Sequence, residues 1–204
     1  MKGFLSWWVS HSCFQLLIRS GTASVGLAAA AITKSHGAEV SSTTRNPGRI
    51  ELLRSAGDDE VIIDDGRIAE KINASAKSGV DKALELVGTT SLADSLQCAR
   101  QHGIVCMTGM VGDKWWFDHF SPMDIIPNAV NLTVYSGAEK INASAKSGGA
   151  EDFMRTPLQS LVEQVEAGTL RIHVGRVFHL DQIADAHRCM EDNSAGGKIV
   201  VLTS

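Results

Sequence analysis

Apolar residues along the chain alternate between short unbroken runs and longer stretches in which they recur three or four positions apart. The first pattern suits strands buried on both faces, and the second suits helices with one apolar side. Gln15 to Arg19 predicts a strand, and a glycine-bearing turn leads from it into VGLAAAAITKSH, a helical run stopped by Gly37. Ala38 to Thr43 predicts a second strand. Pro47 is well placed to open a helix through RIELLRSAG, which ends at Gly57. Glu60 to Ile63, Val80 to Leu86, Gly103 to Thr108 and Asn131 to Tyr135 predict further strands, with helical stretches at Ile68 to Lys77 and Ser91 to Arg100 among them. Strand and helix repeated in this way imply a parallel sheet with right-handed crossovers and helices on both faces. The expected fold class is α/β, a doubly wound parallel sheet.

One segment breaks the rhythm. AEKINASAKSG occurs at Ala69 to Gly79 and again, unchanged, at Ala138 to Gly148. The first copy fits its place, because Ile68, Ile72 and Ala76 continue one helical face. The second lies between NLTVYSG and the helical stretch AEDFMRTPLQSLVEQVEAG, where its removal would leave an ordinary strand-to-helix turn. It reads as an insertion in a surface loop rather than as a unit of a repeat architecture.

Composition narrows the function classes. A formal charge of −4 and a pI near 6.0 give no broad positive field for phosphate backbones, and 5% aromatic content argues against a base-stacking platform, so no nucleic-acid partner is expected. No apolar run reaches the roughly 20 residues that span a bilayer. The opening MKGFLSWWVSHSCFQLLIRS is interrupted by His11, Gln15 and Arg19, and no small-residue cleavage site follows, so the expected compartment is the cytoplasm, with no membrane partner. The cysteines at 13, 98, 106 and 189 form no CxxC pair and no cluster with His, which predicts buried thiols and no metal.

The first strand-turn-helix carries Ser20-Gly21-Thr22-Ala23-Ser24-Val25-Gly26. Such a turn lets the main chain approach a pyrophosphate, while the helix N-terminus offers free N–H groups and a partial positive charge. The same turn would also serve as a purely structural link. At the end of the second strand, an NAD site would carry an acid for the ribose hydroxyls; here Thr43-Thr44-Arg45-Asn46 follows, with Arg49 a turn later. A guanidinium with hydroxyls suits a 2′-phosphate, which favours NADP(H), although both arginines would be equally at home as solvated charges.

Four blocks, LLIRSGTASVGLAAAAI, STTRNPGRIELLRSAG, ALELVGTTSLADSLQCARQHGIVCMTGMVG and AHRCMEDNSAGGKIVV, resemble the zinc-independent quinone-oxidoreductase branch of the medium-chain dehydrogenase/reductase superfamily. The resemblance implies a Rossmann-type domain in which Gly21, Thr22, Ala23, Ser24 and Val25 meet the pyrophosphate. Thr44, Arg45 and Arg49 would meet the adenosine phosphate, Val87 and Gly88 would lie near the ribose, and Gly109, Met110 and Val111 would flank the nicotinamide. It implies NADP(H)-dependent hydride transfer to a small-molecule quinone or activated alkene, and a homo-oligomer. Two departures stand out. The family carries glycine where Ser20 stands, and it places a GroES-like catalytic domain before the nucleotide domain. The expected organisation is an atypical segment over 1–15, an NADP-binding domain over 16–175, and a segment over 176–204 that would complete the catalytic domain. In that last segment Phe178, Leu180, Ile183, Ala186 and Met190 are expected to form one apolar helical stripe ahead of a strand at Lys198 to Leu202.

The remaining polar residues point to no reaction. His119, His173, His179 and His187 are scattered, Asp58-Asp59 and Asp64-Asp65 read as turn and strand-edge charges, and Trp115-Trp116 as a half-buried loop anchor. No catalytic residue can be named. The alternatives to an active reductase are an inactive cofactor-binding module and an interaction subunit.

Overall fold

The computed structural model describes residues 14–75, 78–112, 114–135 and 158–203. Six strands form the main sheet: β1 (Gln15–Arg19), β2 (Glu39–Thr44), β3 (Glu60–Ile63), β4 (Val80–Glu85), β5 (Ala99–Met107) and β6 (Asn131–Val134). Their spatial order is β3-β2-β1-β4-β5-β6, and every neighbouring pair is parallel. The expected α/β doubly wound Rossmann-type sheet is therefore what the chain forms. The helices between the strands are α1 (Ser24–Ser35), α2 (Ile50–Ala56), α3 (Ile68–Ser75), α4 (Thr89–Gln97) and the short α5 (Pro122–Ile125).

The unbroken apolar runs arise because side chains alternate across a sheet that is covered on both faces. In β1, Leu17 points into one core with Ile62, Val105 and the α3 and α4 residues Ile68, Ile72, Leu92 and Leu96. Leu16 and Ile18 point into the other, with Val40, Leu84, Cys106 and Ala30 of α1. All three β1 residues are at most 1% exposed.

Most of the expected boundaries fall within a residue or two, with one larger difference. Ala99 and Arg100, expected to end a helix, instead begin β5. Tertiary pairing overrides the local periodicity: Val80 N–H donates to Cys98 O at 2.8 Å, and the Arg100 guanidinium bonds Asp81 at 2.6 Å. The strand then makes an irregular step, with a register shift against β4 between Val80 and Lys82 and a left-handed His102 at φ +63°.

The C-terminal part forms a second, smaller unit. Helix α6 (Leu158–Glu166) leads to β7 (Val174–His179), which pairs in parallel with β8 (Lys198–Leu202) across a short 3-10 turn and α7 (Ile183–Glu191). The expected single stripe is not one helical face. Phe178 belongs to β7 and Leu180 to the turn, and of the three stripe residues on α7 Ala186 is buried while Ile183 and Met190 are exposed. The second copy of the repeat, like Ala76 and Cys13, lies outside the described residues, and Ile72 of the first copy is fully packed. Among the described residues, no helix is long and apolar enough to cross a membrane.

Candidate functional site at the carboxyl edge of the sheet

Because all six strands run the same way, their carboxyl ends and the turns after them share one edge. The strand order reverses between β1 and β4, whose following helices α1 and α4 pack on opposite faces, the point of such a sheet at which ligands are expected to bind.

On one side stands the Ser20–Ala23 turn. Gly21 N–H donates to Thr43 O at 2.9 Å and Ala23 N–H to Ser20 O at 3.1 Å, which folds the turn against the end of β2. A β-carbon on Gly21 would meet Ser42 Cβ at 2.5 Å, and one on Gly26 would meet Gly21 O at 2.6 Å, so both glycines are required by close packing. Ser20 occupies the left-handed region at φ +68°, where glycine is the unstrained residue; the serine's own N–H is held by Thr43 Oγ1 at 3.0 Å. Helix α1 begins with no side-chain cap and no acidic residue in its first turn, leaving backbone donors and the positive end of the helix dipole at the strand ends. Ser24 and Val25 there are exposed.

At the end of β2 the structure separates the residues that the sequence groups together. Arg45 is exposed and forms no ion pair among the described residues. Thr44 is buried, and its hydroxyl accepts from Asn46 N–H at 3.1 Å. Arg49 is not free: its guanidinium donates to Asn193 O at 2.9 Å, tying the C-terminal unit to the main sheet. Of the two arginines expected near the adenosine phosphate, Arg45 is exposed without an ion pair among the described residues, and Arg49 holds the Asn193 carbonyl.

On the far side, the turns after β4 and β5 come together. Gly88, at φ +107°, lies where a β-carbon would be 3.2 Å from Met110 Cα. Gly112 N–H bonds Val87 O at 2.8 Å, and a β-carbon on Gly109 would meet Leu86 O at 2.4 Å. Val87, Gly88, Gly109, Met110 and Val111 thus line one stretch of the edge.

What fixes these turns is a buried ionic network that sequence reading misses. Glu85, fully buried at the end of β4, accepts from Val87 N–H at 2.7 Å, Gly88 N–H at 3.0 Å and Ser91 Oγ at 3.0 Å, and also from Ser95 Oγ. Arg19, 2% exposed at the end of β1, pairs with Asp64 at 2.6 and 2.9 Å and with Asp94 at 2.5 Å. Burial opposes the Arg19 charge, but the hydrogen bonds to Asp64 and Asp94 outweigh it and hold the group above its ordinary pKa. Asp94 in turn caps α3 from outside, accepting from Ile68 and Ala69 N–H at 3.0 and 3.2 Å. Asp64 is therefore an ion-pair partner rather than a strand-edge charge, and Asp58 is a buried carboxyl rather than a turn charge. The available signal was a charge closing an otherwise apolar strand, in LLIR and in ALELV, since such a charge needs a partner.

A family model described as zinc-binding dehydrogenase matches residues 56–201. The chain belongs to that family. The medium-chain dehydrogenase/reductase resemblance read from the sequence blocks is the correct one. A curated Mycobacterium tuberculosis relative, phthioceranic/hydroxyphthioceranic acid synthase, is 29% identical over 91% of this chain, which spans 8% of that protein. Among solved structures, a mycobacterial protein complexed with NADPH superposes with a TM-score of 0.74 at 21% identity, covering all of this chain and 58% of the other. A 2-haloacrylate reductase superposes with a TM-score of 0.74 at 24% identity, covering 95% and 58% respectively. The chain thus spans little more than half the length of these structures and a small part of the curated relative.

The family's description names zinc, and the described residues do not fit it. They hold no group of three or more His, Cys, Asp or Glu side chains that could bind a metal. Burial pushes the Cys98 thiol up to about 12 and the Cys106 thiol up to about 11, so both are inert thiols in the folded chain. A dinucleotide fits better: the close-packed Gly21 turn, the uncapped α1 and the exposed Arg45 lie along one edge. Trp115 and Trp116, expected as a half-buried anchor, are instead 66% and 67% exposed, because the buried contacts of their loop are made by Phe117.

Proposed function

We propose that this chain is the cofactor-binding part of an NADPH-dependent oxidoreductase that reduces quinones or activated alkenes in the cytoplasm. The observation that carries the reading is Arg45, exposed and without an ion-pair partner among the described residues, at the end of β2 where no acidic residue stands to receive ribose hydroxyls. In this reading the amides of Gly21, Thr22, Ala23, Ser24 and Val25 hold the pyrophosphate. Arg45 holds the 2′-phosphate beside Thr44, Val87 and Gly88 bound the ribose, and Gly109, Met110 and Val111 bound the nicotinamide. The bound cofactor supplies a hydride to the substrate. The protein's own contribution is orientation: Glu85 sets the turn after β4, and Arg19 sets the end of β1, so that both sides of the site are rigid.

Titration of NADPH and NADH by nicotinamide fluorescence tests this reading. NADPH binds more tightly, and Arg45→Ala loses roughly tenfold to hundredfold in NADPH affinity with little change for NADH, as expected for one charge-assisted contact. Equal affinities in the wild-type chain, or an Arg45→Ala variant with undiminished NADPH affinity, would sink the NADPH assignment. Binding without oxidation of NADPH by a small quinone or an acrylate would instead favour a cofactor-binding module.

A further inference from the structure

Behind the Gly21 turn lies a carboxyl group that this function does not use. Asp58 follows the left-handed Gly57 that ends α2 and is 6% exposed. The Ser42 hydroxyl donates to its Oδ1, while its Oδ2 is buried with no hydrogen-bond partner. Ser42 is also the side chain pressed against the turn: its Oγ lies 2.7 Å from the β-carbon position of Gly21, with Leu53 Cδ2 at 3.1 Å completing the wall. Ser42 therefore touches both the carboxyl and the Gly21 turn.

We infer that Asp58, acting through Ser42, is a positioning residue for the Gly21 turn and makes dinucleotide affinity depend on pH. This inference rests on the proposed pyrophosphate site. A neutral Asp58 leaves the turn facing an uncharged wall. An ionised one adds a buried negative charge behind amides that must receive an anion, and it draws the Ser42 hydroxyl toward itself. Burial, with a smaller contribution from neighbouring Asp59, pushes the Asp58 carboxyl up to about 7 despite the Ser42 hydrogen bond, so the change falls near neutrality. Few charges face it. From its own segment there is Asp59; from α1 there is Lys34, whose ammonium is taken up by Asp59 and whose Cβ packs on Gly57; β2 contributes the uncharged Ser42.

The test is NADPH affinity between about pH 6 and pH 8.5 for the wild-type chain, Asp58→Asn and Ser42→Ala. NADPH's own 2′-phosphate titrates near 6, so the informative quantity is the ratio of variant to wild-type affinity at each pH. Wild-type binding weakens with rising pH by roughly tenfold more than Asp58→Asn binding, the scale of one like charge in a partly screened interior. Ser42→Ala reduces the pH dependence toward that of Asp58→Asn, because the hydroxyl through which the carboxyl meets the turn is removed. Parallel curves for wild type and Asp58→Asn overturn the inference and leave the cofactor reading standing. No NADPH binding by any chain at any pH overturns the cofactor reading, and this inference with it.

Discussion

The two strand systems differ more in what surrounds them than in what they are made of. β1 carries QLLIR with four of its five residues buried, whereas β8 carries KIVVL with none buried. β4 is buried at every position except Asp81, and β7 at none. The six-stranded sheet closes its own core, with α1 on one face and α3 and α4 on the other. Among the described residues, α7 is the helix packed most closely on the two-stranded unit, and β7 and β8 pair with no further strand. An apolar strand left at an edge and half bare invites another surface. Among the described residues, the first region buries its own strands and the second leaves its strands half exposed.

The largest effect should come from breaking the ionic network that holds the first region. Arg19→Ala leaves Asp64 and Asp94 facing each other in a buried space without their cation, and should cost about 3–5 kcal/mol. Arg176→Ala, at an exposed position on β7, should change stability by no more than about 0.5 kcal/mol. Urea denaturation of both variants makes the comparison. Equal losses would mean that the two regions share one cooperative core.

A second effect, of intermediate size, belongs to Asp58. Its carboxyl is raised to about 7 in the folded chain, against an ordinary value of 3.8. The folded state therefore keeps a proton that the unfolded state gives up from about pH 4 upward. Stability is highest below that point, falls as pH rises toward 7, and levels off above it, with a total drop of about 2–4 kcal/mol. Asp58→Asn should lose this slope whatever its absolute stability, which denaturation at about pH 4.5, 6 and 7.5 would show. A wild-type chain equally stable at all three would mean that Asp58 is solvated and not buried.

The contrast also explains what could be read from the sequence. The alternation of strands and helices was legible because strands buried on both faces must be apolar throughout, and the Gly21 turn was legible because its neighbours along the chain define it. Arg19, Asp64, Asp94 and Glu85 were not, since Arg19 meets its partners 45 and 75 positions away. Ala99 and Arg100 were misjudged for a similar reason: Asp81 and Val80, on another strand, decide their conformation. KIVVL was legible as a strand over Lys198 to Leu202, and its half-exposed state agrees with a segment expected to complete another domain.

The smallest effect on stability, and the sharpest test of the contrast, lies on the exposed apolar residues of the second unit. Leu180 and Met190 are 56% and 59% exposed, and polar replacements there remove little buried area. Leu180→Ser and Met190→Ser should each shift unfolding stability by no more than about 0.5 kcal/mol. If this unit is the surface through which copies associate, as a homo-oligomer requires, the same changes should weaken association well beyond their effect on folding. The reasoning is that an apolar patch loses its hydration only on contact, so its contribution of roughly 25 cal/mol per Å² appears in association and not in the monomer's unfolding. Sedimentation velocity over a concentration series, beside thermal melting, separates the two readouts. A double variant that melts far below the wild type would show that these residues are packed within the chain. A wild-type chain that stays monomeric across the series would remove the homo-oligomer expectation and leave the second unit to a different partner.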